Sequence, residues 1–279
     1  MLPRLLNPRH ILVVLDEIDQ EAPSHTLARP VAMRRVFVTL ASVSVALLAL
    51  HYLKFGQNFV GVLQLLAAWQ GQPENHYVHA INNAGWYQLL IGLWWAIWHW
   101  VCFLLLPWVV IRFIWRERMV DFGWRWGETH RHWPGYVLLI SPILVFIVLV
   151  SFGEDFVNHY PFYLHAGRSW FDFLAWQALY MSQFVVLEFF FRGYMLQALR
   201  PAMGANAIWV MCIPYLMIHF PKLWLQATGA IRFGLFLGIL ALRSRSIWGG
   251  VMVHVGIALS MDMAALLRKA DLPSQWWPF

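Results

Sequence analysis

Charged residues are scarce in this sequence of 279 residues. Only 12% of the residues are Asp, Glu, Lys or Arg, whereas 60% are hydrophobic and 18 are tryptophan. A soluble domain carries roughly 25% charged residues, so this chain has too little polar surface to cover a globule in water. A soluble fold is therefore excluded, and the sequence predicts an all-α, polytopic integral membrane helical bundle.

Cysteine pairs and phosphate-binding loops are also missing. Cys102 and Cys212 both lie inside apolar runs and have no CxxC spacing, which argues against a disulfide framework or a cysteine metal site. The sequence contains no Gly-rich phosphate loop, no internal repeat and no HExxH motif. We therefore interpret the formal net charge of +6 as a signal of membrane topology and lipid-headgroup contact, and not of nucleic-acid binding.

Long apolar runs predict about seven transmembrane helices, within a range of six to eight. The predicted spans cover residues 36–55, 86–111, 135–152, 171–199, 204–220, 229–242 and 247–267. The run FVGVLQLLAAW, after the first span, is too short to cross and is expected to lie in the interface. Four regions follow from this pattern: an N-terminal tail 1–35, helices and loops 36–169, a helical core 170–267 and a C-terminal tail 268–279.

Arginine-rich loops alternate with arginine-poor loops along the chain. Residues 112–133 carry five arginines, whereas the loop 56–85 has neither Lys nor Arg. Loops rich in Lys and Arg stay on the cytoplasmic side, so the pattern predicts a cytoplasmic N-terminal tail, whose short run HILVVL is expected to pack on the membrane surface. Seven spans then put the C-terminus outside, where Arg268 and Lys269 fit this rule poorly.

A few polar residues interrupt the last four spans. Glu188 and Arg192 share one helix face at spacing i, i+4, and His254 and Asp262 share another at i, i+8. Counted at 1.5 Å per residue, the two carboxylates, His254 and His219 lie about 10–22 Å into their spans, around the midplane of a core roughly 30 Å thick. Charges at such depth are costly unless they are paired or line a cavity, so these residues are candidates for a functional site.

The chemistry of this group favours hydrolysis. One carboxylate and two histidines in a partly dry cavity can bind and deprotonate a water, and Gly249 and Gly250 permit close helix approach beside them. A simpler interpretation stays open, because Glu188 and Arg192 also form a neutralised pair of the kind that only stabilises packing. Isolated intramembrane histidines more often bond between helices than catalyse.

The stretches EFFFRGYML, YLMIHFPK and GILALRSRSIWGGVMVHVGIALSMD together resemble the CPBP family of intramembrane endopeptidases, which includes CAAX-prenyl-protease and bacteriocin-processing types. The resemblance covers roughly residues 170–265. The common family pattern is E-E-x-x-x-R, then F-x-x-x-H, then a histidine followed four residues later by a polar residue. Matched position by position, the second glutamate, the arginine and the two histidines are Glu188, Arg192, His219 and His254.

The sequence departs from that pattern at three positions. Leu187 stands where the family has its first glutamate, the residue usually assigned as general base. Tyr215 replaces the phenylalanine of the second element, and Ala258 stands four residues after the last histidine. Asp262 lies one helical turn beyond Ala258 on the same face.

The resemblance implies a glutamic-type intramembrane endopeptidase of the bacterial inner membrane, which hydrolyses a peptide bond in a membrane-associated or lipidated protein. Glu188 is expected to activate a water held by His219 and His254, with Arg192 orienting Glu188 and Asp262 supporting a histidine. No cofactor, metal or nucleic acid is expected. Two alternatives stay open: an inert relative that binds a membrane partner as a scaffold or immunity-type protein, and a proton-coupled carrier, against which the lack of two matching broken-helix halves counts.

Overall fold

In a computed structural model of the chain, residues 8–21, 27–221 and 224–278 are described. These ranges are largely helical and contain no strand, which confirms the all-α prediction. We number the helices in chain order: α1 (Pro8–Glu21), α2 (Arg29–Leu53), α3 (Gly56–Trp69), α4 (His76–Asn83), α5 (Tyr87–Trp115), α6 (Thr129–Val150), α7 (Glu154–His159), α8 (170–203), α9 (Ala207–Met217), α10 (Trp224–Ser244) and α11 (Trp248–Lys269).

Six helical stretches in the described residues are long and apolar enough to cross a membrane. They are Arg29–Leu53, Tyr87–Trp115, Thr129–Val150, Trp170–Met217, Ala227–Ser244 and Trp248–Lys269. The protein is therefore a multi-pass membrane protein. The number falls inside the predicted range of six to eight.

The stretch Trp170–Met217 contains two of the predicted spans, 171–199 and 204–220. As one straight helix, its 48 residues would measure about 72 Å at 1.5 Å per residue, more than twice the hydrocarbon core. A 3-10 turn at Gly204–Asn206 separates α8 from α9, and Gly204 adopts a φ of +59°, which glycine tolerates best. Helix α9 packs back against α8. The chain therefore doubles back at this turn, and the two predicted spans are separate helices.

Helix α8 begins at a polar cap. Ser169 Oγ accepts a hydrogen bond from the Asp172 backbone N–H at 3.1 Å, and it donates to Asp172 Oδ2 at 2.7 Å. Arg168 and Tyr163 also donate to this fully buried carboxylate, at 2.8 and 2.6 Å. Burial and the bond to Asp172 raise the pKa of the Tyr163 hydroxyl. The start of the long helix is thus fixed by three side chains that donate hydrogen bonds to the Asp172 carboxylate.

The chain divides into two compact units. The first comprises Met1–Ala46, Phe103–Leu139 and Val185–Val253, and the second comprises Leu47–Cys102, Ile140–Phe184 and His254–Phe279. Each unit draws on three separate segments of the chain. Its compactness therefore depends on contacts between residues that are distant in sequence.

Aromatic side chains form the core of the first unit. Phe103 stacks on Phe190 with ring centroids 4.3 Å apart, and Trp115 stacks on Tyr194 at 5.5 Å. Arg35 lies over the Trp115 ring at 4.4 Å and pairs with Glu117 at 2.7 Å. Offset and edge contacts of this kind add about 0.5–1.5 kcal/mol each beyond burial.

Helix α1 packs against the protein in the first unit. Val14 and Ile18 are each only 1% exposed, and Asp19 Oδ1 accepts a hydrogen bond from the Ala205 N–H at 2.7 Å. Glu17 pairs with Arg243 at 2.8 Å. The sequence predicted that HILVVL lies on the membrane surface. The buried side of this helix docks on the turn between α8 and α9 and on α10. Leu12 and Val13 of the same run are exposed, so its contact with the membrane surface stays a prediction.

The second unit has its own aromatic core. Trp176 stacks on Tyr180 and on Tyr163, with ring centroids 5.2 and 5.8 Å apart. The segment after α11 is tied to the start of α8 by two main-chain hydrogen bonds, from Trp170 N–H to the Gln275 carbonyl at 2.9 Å and from Phe171 N–H to the Trp276 carbonyl at 3.0 Å.

Candidate functional site

Glu188 and Arg192 form a buried ion pair in the first unit. Arg192 Nη1 lies 3.0 Å from Glu188 Oε1, and the two side chains are 0% and 1% exposed. Removing each ion from water costs several kcal/mol, which only a well-placed partner and further polar contacts offset. The predicted i, i+4 pairing is thus present, at a depth where an unpaired charge would be strongly destabilising.

A π-helical segment follows Glu188 directly. The first α-helical part of α8 ends at Glu188, and Phe189–Met195 forms a π-helix whose seven residues are all buried. Phe190 and Phe191 both pack against Phe103. Insertions of π-helix occur often at functional sites, and this one places Arg192 inside the aromatic core.

Tyr215 supports the Arg192 guanidinium from α9. The Arg192 Cζ atom lies 3.9 Å from the centre of the Tyr215 ring, and Nη2 lies 3.5 Å from the Phe233 carbonyl oxygen. A cation over an aromatic ring contributes about 2 kcal/mol or more when both are shielded from water. In the sequence, Tyr215 stands out only as a departure from the family pattern. Its spacing of four residues from His219 was the one sequence feature that could have linked Tyr215 to the candidate site.

His219 is joined to the same group through Tyr215. Its Nδ1 lies 2.7 Å from the Tyr215 carbonyl oxygen, and the two rings are 4.7 Å apart. Because a carbonyl oxygen can only accept, Nδ1 carries the proton and Nε2 is the basic nitrogen. His219 is half-buried in the turn after Met217, where α9 ends. The structure therefore connects Glu188 to His219 through two residues, Arg192 and Tyr215.

The first turn of α11 passes close to the Glu188 carboxylate. A Cβ atom on Gly250 would overlap Glu188 Oε2, and one on Gly249 would overlap the Tyr136 ring. The two glycines thus permit the close helix approach that the sequence predicted. The N-terminus of a helix carries a partial positive charge, so α11 favours a negatively charged oxygen at this position. Tyr136 is held there by a hydrogen bond of 3.2 Å between its hydroxyl and Ser244 Oγ.

His254 and Asp262 belong to the second unit. His254 is half-buried and stacks on Phe184, with ring centroids 5.5 Å apart. Asp262 is fully buried, and its Oδ2 accepts hydrogen bonds from Trp176 Nε1 at 3.0 Å and Gln177 Nε2 at 2.7 Å. The donors to Asp262 in the described chain are thus an indole and an amide, whereas the sequence predicted a histidine.

The described residues contain no cluster of side chains suited to bind a metal ion. Among residues 8–21, 27–221 and 224–278, no group of three or more His, Cys, Asp or Glu side chains is arranged to hold an ion. The carboxyl group of Glu188 has the Arg192 guanidinium beside it.

Comparison with known proteins identifies one family. Residues 168–260 match the family model described as type II CAAX prenyl endopeptidase, Rce1-like. The match covers 93 of 279 residues, about a third of the chain, and it includes Glu188, Arg192, His219 and His254 but not Asp262. The resemblance to the CPBP family is thereby confirmed over this segment. No curated protein and no solved structure matches the chain.

Proposed function

We propose that this protein is a CAAX-protease-like intramembrane endopeptidase, in which Glu188 activates a water to hydrolyse a peptide bond in a membrane-associated or lipidated protein. The observation that carries the proposal is the buried Glu188–Arg192 pair, which lies within the segment that matches the endopeptidase family. A bacterial inner-membrane location is part of the proposal and follows from the composition and the family resemblance.

The two oxygens of Glu188 have different tasks in this proposal. Arg192 holds Oε1 and so fixes the direction of the carboxylate. Oε2 faces the backbone of Gly250 and takes a proton from the water as the resulting hydroxide attacks the substrate carbonyl carbon. The same proton then passes to the leaving amine as the C–N bond breaks, which restores the carboxylate. One glutamate thus serves as base and acid.

The histidines complete the proposal. His219, whose basic nitrogen is Nε2, orients the water or stabilises the oxyanion of the tetrahedral intermediate. His254 is assigned to the same chemistry on the sequence motif alone. Asp262 enters as a structural anchor between α8 and α11 in the second unit, since Trp176 and Gln177 occupy its bonded oxygen.

A second candidate function is favoured by Leu187. This residue replaces the first glutamate of the family pattern and is buried, so the chain lacks the carboxylate usually assigned as base. In the second candidate, the protein binds a membrane protein or lipidated peptide without cleaving it. The two candidates differ in one measurable respect, which is hydrolysis by the wild-type chain.

The test is cleavage of lipidated C-terminal peptides by the full chain in lipid nanodiscs, followed by mass spectrometry in ¹⁸O-labelled water. We expect wild type to incorporate one ¹⁸O into the new carboxyl group, and Glu188→Gln to lose about 10²–10⁴ in rate. Glu154→Gln, which changes an exposed acid at the start of α7, is the matched control and should cleave like wild type.

Two outcomes would overturn the proposal. Cleavage by Glu188→Gln at the wild-type rate would remove Glu188 from the mechanism. Binding of the peptides by wild type with no cleavage under any condition would establish the inert candidate in its place. His219→Ala and His254→Ala, assayed in parallel, test the roles assigned to the two histidines.

A further inference from the structure

Three arginines from separate segments of the chain meet at one cavity of the first unit. The cavity has a volume of about 170 Å³. It is lined by Asp121, Gly123, Arg125, Gln197, Arg200 and Arg245. The three arginines outnumber the single aspartate by two positive charges. Since an apolar cavity of about 150 Å³ accommodates benzene, this cavity has room for a phosphate group.

The walls of the cavity are held in place by the backbone. The Ile247 N–H donates to the Gly123 carbonyl at 3.0 Å, and the Glu128 N–H donates to the Ser244 carbonyl at 2.7 Å. Arg125 Nε donates to the Arg245 carbonyl at 3.1 Å. The turn that precedes α6 and the turn that precedes α11 are therefore tied together. A site built in advance loses less conformational entropy when a ligand binds.

The lining arginines differ in the partners that their guanidinium groups already have. Arg200 Nη2 donates to the Ile18 carbonyl at 3.3 Å. Arg125 and Arg245 have no carboxylate partner among the residues that the structure describes. Guanidinium groups bind phosphate oxygens with two parallel hydrogen bonds. Two such groups facing one cavity therefore offer a site for an oxyanion.

The position of the cavity indicates the source of that oxyanion. Arg125 lies in the arginine-rich segment 112–133, Arg200 near the C-terminal end of α8, and Arg245 in the turn before α11. The sequence predicts that all three lie on the cytoplasmic side. The structure brings all three to one cavity, so they share one side of the membrane. The cytoplasmic leaflet carries anionic lipids, and basic pockets between helices on that side bind their headgroups.

We infer that this arginine-lined cavity binds the phosphate of an anionic phospholipid headgroup. Arg125 and Arg245 contact the phosphate oxygens, and Gln197 supplies an amide donor. Gln197 and Arg200 lie nine and twelve residues after Glu188 on the same helix, about 14–18 Å along its axis. A bound headgroup would thus fix the cytoplasmic end of the helix that carries the ion pair.

The experiment counts retained lipid by native mass spectrometry of the full chain released from nanodiscs. The discs contain either phosphatidylglycerol or phosphatidylcholine. We expect wild type to retain phosphatidylglycerol in preference to phosphatidylcholine. Each arginine near an anionic surface contributes about 1 kcal/mol, or about fivefold in affinity, so Arg125→Gln with Arg245→Gln should lower retention roughly 25-fold.

The matched control removes the same charge outside the cavity. Arg112→Gln with Arg118→Gln alters two exposed arginines of the same segment that do not line the cavity, and we expect retention within about twofold of wild type. Arg125→Lys with Arg245→Lys keeps the charge and should retain more lipid than the glutamine pair. Gel filtration of every variant establishes that it is folded before lipid is counted.

Three results would overturn the inference. Equal loss in the cavity pair and the control pair would reduce the effect to general surface charge. Equal retention in all variants would remove the cavity from lipid binding. Binding of inorganic phosphate by wild type, lost in the glutamine pair, without retention of phosphatidylglycerol would make the ligand a soluble phosphate and not a lipid.

Discussion

Arg192 Nη1 lies 3.0 Å from Glu188 Oε1, and both side chains are buried. The two partners do not depend on each other equally. Arg192 keeps the Tyr215 ring and the Phe233 carbonyl if Glu188 is changed. If Arg192 is removed, Glu188 loses the positively charged guanidinium beside its carboxyl group. This asymmetry determines which substitution the fold should tolerate.

We expect Arg192→Ala to destabilise the protein by about 3–5 kcal/mol, because removal of one partner leaves an uncompensated buried charge. Glu188→Gln should cost clearly less, since it leaves no buried carboxylate and Arg192 keeps its contacts with Tyr215 and Phe233. Unfolding of both variants in mixed micelles, followed by tryptophan fluorescence, measures the difference. Arg131→Ala is the control, as its pair with Glu128 is exposed and worth at most about 1 kcal/mol. Equal destabilisation by Arg192→Ala and Glu188→Gln would contradict the asymmetry.

Gly250→Ala should disturb the carboxylate without changing any charge. The added methyl group overlaps Glu188 Oε2, so either the carboxylate or the first turn of α11 must move, at a cost of about 1–3 kcal/mol. We expect at least a tenfold loss of hydrolysis, measured with the same peptides. The control is Gly229→Ala in α10, where a methyl group meets nothing within 4 Å and should stabilise the helix by about 0.5–1 kcal/mol. Activity of Gly250→Ala equal to that of Gly229→Ala would contradict this prediction.

The aromatic ring at Tyr215 should matter more than its hydroxyl. Tyr215→Phe keeps a ring beneath the Arg192 guanidinium, whereas Tyr215→Leu removes it and with it about 2 kcal/mol of cation–π attraction. We therefore expect Tyr215→Phe to unfold close to wild type and Tyr215→Leu to unfold at clearly lower denaturant concentration. If both variants are equally destabilised, the hydroxyl and not the ring supports the arginine.

Membrane topology can be measured directly by cysteine labelling. Cys102 and Cys212 are both buried, so they should not react in the folded protein. With an impermeant reagent on intact cells, we expect Asn75→Cys to be labelled and Arg125→Cys to be protected until the membrane is opened. Both positions are exposed in the structure. Labelling of position 125 alone in intact cells would show that the protein has the opposite orientation in the membrane.

The helices were largely predictable because each span is a long apolar run. The predicted span 171–199 ends four residues before α8 does, at Met203, where Gly204 follows with a φ of +59°. The π-helix at Phe189–Met195 could not be predicted, because a segment that is apolar on every side carries no periodic signal of its hydrogen-bond pattern. Sequence spacing likewise placed Glu188 beside Arg192.

Partners on other helices were not accessible to the same reasoning. The Tyr215 ring of α9 packs against the Arg192 guanidinium of α8. Residue spacing along one helix cannot predict a contact between two helices. The donors that Asp262 finds in Trp176 and Gln177 lie 86 and 85 residues away. Depth in the membrane predicted that these acids need partners, but only the packing of the chain decides which residues provide them.

The bond between Asp19 and Ala205 has a consequence for the order in which the molecule is built. These two residues are 186 positions apart. At about 5–20 residues per second, the ribosome makes Asp19 roughly 10–40 s before Ala205. Helix α1 therefore has no docking site while the first spans are inserted. It can dock only after α8, α9 and the turn between them have been made. It closes the first unit as a late step of biosynthesis and plays no part in starting it.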